Sequence, residues 1–165
     1  MALVRSLLTL LIALLLPSAA AAAPEGTGLP LPRFVSLRAA EANLRTGPGV
    51  QYPVEWVYNR AQLPLEVIAE YHTWRKVRDS QGTQGWMHQS MLDGRRTAVV
   101  MGALRTLRQK PDAEAAAVAR VEPGVVGRVL ECPDGSGWCR LDVDGFQGWM
   151  RRAELWGVYR TEVVR

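Results

Sequence analysis

The tetrapeptide Gln84-Gly85-Trp86-Met87 recurs 63 residues later as Gln147-Gly148-Trp149-Met150, and this repetition decides how the chain is read. Working back from it, Trp74 matches Trp138, Lys76 matches Arg140 and Val77 matches Leu141. Further upstream, Asn43-Leu44-Arg45 echoes Thr106-Leu107-Arg108 at the same 63-residue offset. The length differences fall in turns; the stretch between the paired Trp positions, for instance, is one residue shorter in the second copy. A repeat that holds its apolar positions and varies at its turns is one supersecondary unit used twice.

Each unit reads as β-structure. Phe34-Val35-Ser36-Leu37, Trp74-Arg75-Lys76-Val77 and Trp138 to Val143 alternate, or nearly alternate, in polarity. Leu65 to Tyr71 and Val125 to Cys132 are rich in β-branched and apolar residues, and Gly, Pro and Asp punctuate the runs, as in Gln81-Gly82-Thr83 and Val143-Asp144-Gly145. Only Asp112 to Arg120 has helix propensity, and there the register of the repeat favours an arm followed by a strand. Short strands at even spacing with Gly turns predict an all-β chain of small barrels.

A Gly before a large aromatic residue in a strand leaves room for a neighbouring backbone or side chain. Trp74, Trp86, Trp138 and Trp149 are expected to close or fill the barrels, with Met87 and Met150 pointing the other way or lying near a barrel end. The first unit also carries Tyr52, Trp56, Tyr58, Tyr71 and His72, amphipathic rings of the kind that line grooves for peptides or sugars. The matching arm of the second unit, Asp112 to Val121, contains no aromatic residue. The first unit is therefore the expected binder, with those five residues as the ligand-binding candidates.

The N-terminal residues bear on the compartment. Arg5, the apolar run Leu7 to Leu16, Pro17 and small residues to Ala23 have the layout of a secretory signal peptide, with cleavage expected after Ala22. The apolar run falls short of the ~20 residues a spanning helix needs, so no stable membrane span is expected after processing. Removal of residues 1–22 takes away one Arg and no acid, which lowers the net charge from +4 to +3. A mild, dispersed positive charge selects no partner by itself, and export argues against nucleic acid. Cys132 and Cys139 flank the turn Pro133-Asp134-Gly135-Ser136-Gly137, and in an oxidising compartment the pair is expected to form a disulfide. Their spacing is neither a zinc signature nor a C-x-x-C redox motif, and no metal or cofactor is expected.

Asn43-Leu44-Arg45-Thr46-Gly47-Pro48-Gly49, with Tyr52-Pro53 after it, resembles the opening motif of bacterial SH3-like (SH3b) domains. Gly85-Trp86-Met87 resembles their closing motif, repeated at Gly148-Trp149. The resemblance covers about residues 33–160 and looks like the two-repeat exported SH3b proteins of proteobacteria. It implies two tandem SH3-like open β-barrels of five to seven strands: residues 33–95 and 96–160, after a signal peptide (1–22) and a flexible segment (23–32), with a short C-terminal tail (161–165). In the motif, Gly47-Pro48-Gly49 can turn sharply because Gly permits positive φ and Pro fixes its own. Arg45 is expected to donate to carbonyls that the turn exposes. The second repeat departs here, since Leu107-Arg108-Gln109-Lys110-Pro111 lacks Gly. The joint from Leu92 to Ala98 has no Gly/Ser-rich linker, so the two modules are expected to pack together.

The resemblance further implies a periplasmic or secreted, non-catalytic protein that binds cell-wall peptidoglycan or an envelope protein. An assembly protein pairing through its sheet edges is the alternative. A cysteine-dependent hydrolase is disfavoured, because both His residues fall in the first repeat and both Cys in the second.

Overall fold

The computed structural model describes residues 26–165; the segment read as a signal peptide lies outside them. The first module comprises β1 (Arg33–Leu37), β2 (Ala42–Arg45), β3 (Val54–Tyr58), β4 (Pro64–Tyr71), β5 (Trp74–Arg78), β6 (Gln84–His88) and β7 (Leu92–Asp93). The second repeats this as β8 (Thr97–Val100), β9 (Arg105–Arg108), β10 (Ala117–Val121), β11 (Val126–Glu131), β12 (Trp138–Val143), β13 (Phe146–Arg151) and β14 (Leu155–Trp156). A single 3-10 turn precedes the last strand of each, at Gln89–Met91 and Arg152–Glu154. Both modules are antiparallel sheets of seven strands, in the orders β3-β2-β6-β5-β4-β1-β7 and β10-β9-β13-β12-β11-β8-β14. The end strands of each sheet do not pair with each other, so neither barrel closes. Asp112 to Val121 is a turn followed by a strand, as the repeat register predicts. No helix among the described residues is long and apolar enough to cross a membrane.

Alternation along the strands builds one core per module. Leu37, Leu44, Leu65, Val67, Val77 and Met87 fill the first; Val100, Leu107, Leu141 and Met150 join the two cysteines in the second. The Gly-Trp-Met segments are oriented opposite to expectation. Gly85 and Met87 face the core, Met87 being fully buried, whereas Trp86 lies half-buried on the outer face; Gly148, Trp149 and Met150 repeat the arrangement. The reason is room. A Cβ on Gly85 would overlap the Leu44 side chain and lie 2.9 Å from the Arg45 carbonyl, and one on Gly148 would lie 2.7 Å from the Arg108 carbonyl. Where β2 crosses β6, and β9 crosses β13, the core is too thin for an indole, and unbranched Met fills it.

The modules pack against each other. Phe34 on β1 meets Trp156 edge-on at 4.9 Å and Tyr159 at 4.6 Å, with the Arg96 guanidinium 5.8 Å from its ring centre. Tyr159 donates to Glu66 at 2.8 Å, Thr97 to the Gln62 carbonyl at 2.8 Å, and Arg60 to the Gly124 carbonyl at 3.0 Å. Both faces of β1 and β8 are covered for this reason: one lies over its own core, the other along the joint.

The ends of the described chain are tied down at matching places. In the segment expected to be flexible, the Thr27 amide donates to Glu70 at 2.6 Å. In the expected tail, Val164 pairs with Cys132 through hydrogen bonds of 2.9 and 3.2 Å. Cys132 and Cys139 are joined by a disulfide, their Cα atoms 4.3 Å apart.

Candidate functional site

β3 is an edge strand, and its residues Val54 to Val57 are all exposed. Most edge strands are short, charged or covered; this one carries a single charge, Glu55, among exposed Val54, Trp56 and Val57, and nothing among the described residues covers it. Trp56 stands 55% exposed at its centre. It forms the lip of a groove of about 200 Å³ whose other lining residues include Tyr58, Leu63, Pro64, Asp79, Gln81 and, from the second module, Val99. Tyr58 is buried, and its hydroxyl donates to Asp79 Oδ2 at 2.9 Å. Burial first, then the hydrogen bond and charge of Asp79, push the Tyr58 hydroxyl well above its ordinary pKa, so it remains a donor. Asp79 in turn accepts the Gln81 and Thr83 amides at 2.9 Å each, which fixes the turn forming one wall. The groove thus has an apolar floor, a rigid polar wall and an aromatic lip.

Of the sequence candidates, Trp56 and Tyr58 line this groove. Tyr52, 39% exposed, lies instead against Gly47 on the arm turn. Tyr71 and His72 form the tip of the β4–β5 hairpin, their rings edge to face at 4.6 Å, with His72 at φ 49°. Asp79 and Gln81 could have been found from their turn signature, Asp-Ser-Gln-Gly. Val99 could not, since it reaches the groove only through module packing. In the second repeat, Ala119 and Val121 stand where Trp56 and Tyr58 stand in the first, and no aromatic lip forms.

Arg45 acts as expected, donating from Nη1 to the carbonyls of Val50 at 3.2 Å and Tyr52 at 2.8 Å. Arg108 repeats this, donating to the Ala115 carbonyl at 2.7 Å. The reading of Gly47 and Gly49 as positive-φ residues is corrected: neither has a positive φ. A Cβ on Gly47 would overlap the Tyr52 ring, so that glycine provides close approach, whereas one on Gly49 would meet only the far end of the exposed Gln51 side chain, which can move aside.

The bacterial SH3 domain family is matched twice in succession, over residues 38–94 and 102–157. The chain belongs to this family. Each SH3 module therefore carries the family's fold, and binding is the role such domains typically serve. No curated protein matches the chain. Among solved structures, the chain is similar to NlpC1 from Trichomonas vaginalis at 11% identity, covering 80% of this chain and 48% of that one, with a TM-score of 0.36. NlpC2 from the same organism is similar at 11% identity, covering 76% of this chain and 48% of that one, with a TM-score of 0.35. The chain spans about half the length of those two proteins.

Proposed function

We propose that this protein is a non-catalytic binding protein of the bacterial cell envelope, and that its first SH3 module holds the ligand at the Trp56 groove. The observation that carries the reading is an indole more than half exposed on a bare edge strand, beside a groove floored by the buried Tyr58. An extended peptide fits this chemistry: its backbone pairs with the free edge of β3 while a side chain enters the groove. The peptide stems of peptidoglycan are such a ligand. The N-terminal signal-peptide pattern and the Cys132–Cys139 disulfide support an extracytoplasmic location. The disulfide also leaves neither cysteine available as a thiolate nucleophile.

The test is co-sedimentation with purified peptidoglycan sacculi at low and moderate salt. Retention at moderate salt is expected, with Trp56→Ala weakening it about thirtyfold, the ~2 kcal/mol of an interface hot spot. Retention that vanishes with salt, or that Trp56→Ala leaves intact, would overturn the reading. A second reading rests on the apolar edge itself: Val54, Trp56 and Val57 also suit pairing with a strand of an envelope protein. Failure to bind sacculi, with specific cross-linking from position 57 to a protein, would favour it.

A further inference from the structure

The second SH3 module presents a different chemistry on another face. Arg105, Arg108, Arg151, Trp138 and Glu154 line a pocket of about 160 Å³ beside β9 and β13. Three guanidinium groups there face one carboxylate. Arg105 lies 3.4 Å from Glu154, and among the described residues neither Arg108 nor Arg151 forms a salt bridge. The pocket therefore keeps an excess of about two positive charges. A larger cavity at the module joint, about 310 Å³, also holds arginines, but Arg128 is paired with Asp142 and Arg95 with Asp93. Its charges are answered internally; those of the smaller pocket are not.

The arginines are also held in place. Arg105 Nε donates to the Met101 carbonyl at 3.3 Å, Arg108 Nη1 to the Ala115 carbonyl at 2.7 Å, and the Arg151 guanidinium lies 5.1 Å from the Trp138 ring centre. A guanidinium pinned at one side presents its remaining N–H groups in a fixed fork, which suits the oxygens of a carboxylate or phosphate. The first module lacks this arrangement. Trp74 and Arg45 match Trp138 and Arg108, but Ala42 stands in place of Arg105 and His88 in place of Arg151.

We infer that the second module carries an oxyanion-binding pocket, which takes one carboxylate or phosphate between Arg151 and Arg108 while the rest of the ligand covers the Trp138 indole. This site is separate from the Trp56 groove and does not depend on it. The pocket opens beside Trp138, so the body of a ligand whose anionic group enters it lies against the indole.

The experiment titrates the purified protein with N-acetylmuramic acid, neutral N-acetylglucosamine and glycerol phosphate, following the Trp138 indole N–H by NMR, assigned with Trp138→Phe. At least one of the two anions is expected to shift that resonance, and the neutral sugar is not. Arg151→Gln should weaken the response about tenfold, the loss of one charge-assisted hydrogen bond, with thermal unfolding unchanged. Trp56→Ala should leave it intact. Binding of the acidic sugar alone identifies a carboxylate site and of glycerol phosphate alone a phosphate site; either supports the inference. Equal binding of the neutral sugar, an unaltered Arg151→Gln response, or no response to either anion would overturn it.

Discussion

At the turn end of the second hairpin in each module, the same place is held by two different chemistries. In the first module Glu70 faces Arg75 across β4 and β5, the two 3.1 Å apart and both buried. In the second, the matching residues are Cys132 and Cys139, joined by the disulfide. Both sites follow a register shift, between Val67 and Ala69 in one and Val129 and Glu131 in the other. Each also receives a terminal segment of the described chain, Thr27 on Glu70 and Val164 on Cys132. One turn of the ladder away, Glu66 with Arg78 becomes Arg128 with Asp142, the same cross-strand pair with its charges exchanged. The fold asks for a cross-link where a bulge loosens the ladder, and it accepts an ion pair or a covalent bond.

The largest effect is expected from breaking the ion pair on one side only. Arg75→Met leaves the Glu70 carboxylate with Arg33 and Thr27 as its remaining partners and should cost about 3 kcal/mol, the low end for a broken buried pair, read from urea unfolding. Acid attacks the same carboxylate through its other partners. Burial raises the Glu70 pKa, but hydrogen bonds from Thr27 and Arg33 and the charge of Arg33 outweigh it and hold the carboxyl at about 2, against an ordinary 4.5. Its folded value is the lower one, so its contribution is complete above about pH 4.5 and is lost as pH falls through about 2. Glu70→Gln should flatten that part of the stability profile. A chain in which Arg75→Met costs under about 1 kcal/mol would show the pair to be a bystander and end the parallel with the disulfide.

Breaking the covalent version should cost less. The disulfide closes a short loop, with seven residues of separation. The chain-entropy account then gives about 2.5 kcal/mol for Cys132→Ser with Cys139→Ser, measured against the oxidised parent. The loss should be insensitive to acid over the range where Glu70 titrates, which separates the two cross-links in one experiment.

Much of this was legible in sequence because it follows from periodicity and offset. The 63-residue repeat located both sheets and the strand at Trp138 to Val143, the two cysteines flanking a turn located the disulfide, and the Gly-Pro-Gly turn pointed to the backbone-binding role of Arg45. The correspondence of Glu70 and Arg75 with the cysteines was hidden, since the residues share no chemistry and only the ladder aligns them. The outward turn of Trp86 was hidden because core thickness at the β2–β6 crossing is a tertiary quantity: alternation says that Trp86 and Met87 point opposite ways, not which one points in. The groove was half legible. Trp56 and Tyr58 share a face of one strand, but Tyr52, Tyr71 and His72 are nearby only in composition, and Val99 arrives from the other module.

The smallest effect tests the finest comparison, that of the two arm turns. Three backbone hydrogen bonds, Thr46 to Pro53, Gly49 to Gly47 and Tyr52 to Gly49, recur as Gln109 to Ala116, Asp112 to Lys110 and Ala115 to Asp112. One turn is Gly-Pro-Gly and the other has no Gly, so the backbone path does not require glycine. What requires it is Tyr52, whose ring occupies the space of a Cβ on Gly47. The second module resolves the same crowding by placing Lys110 opposite the small Ala115. Gly47→Lys alone should therefore cost about 2 kcal/mol, the penalty of overpacking, although the exposed Tyr52 ring can relieve part of it by moving. With Tyr52→Ala added, the loss should fall below about 0.5 kcal/mol, a non-additivity that reports direct contact. Equal losses in the single and double variants would mean that Gly47 is needed by the turn itself, and the two arms would then share hydrogen bonds without sharing a rule.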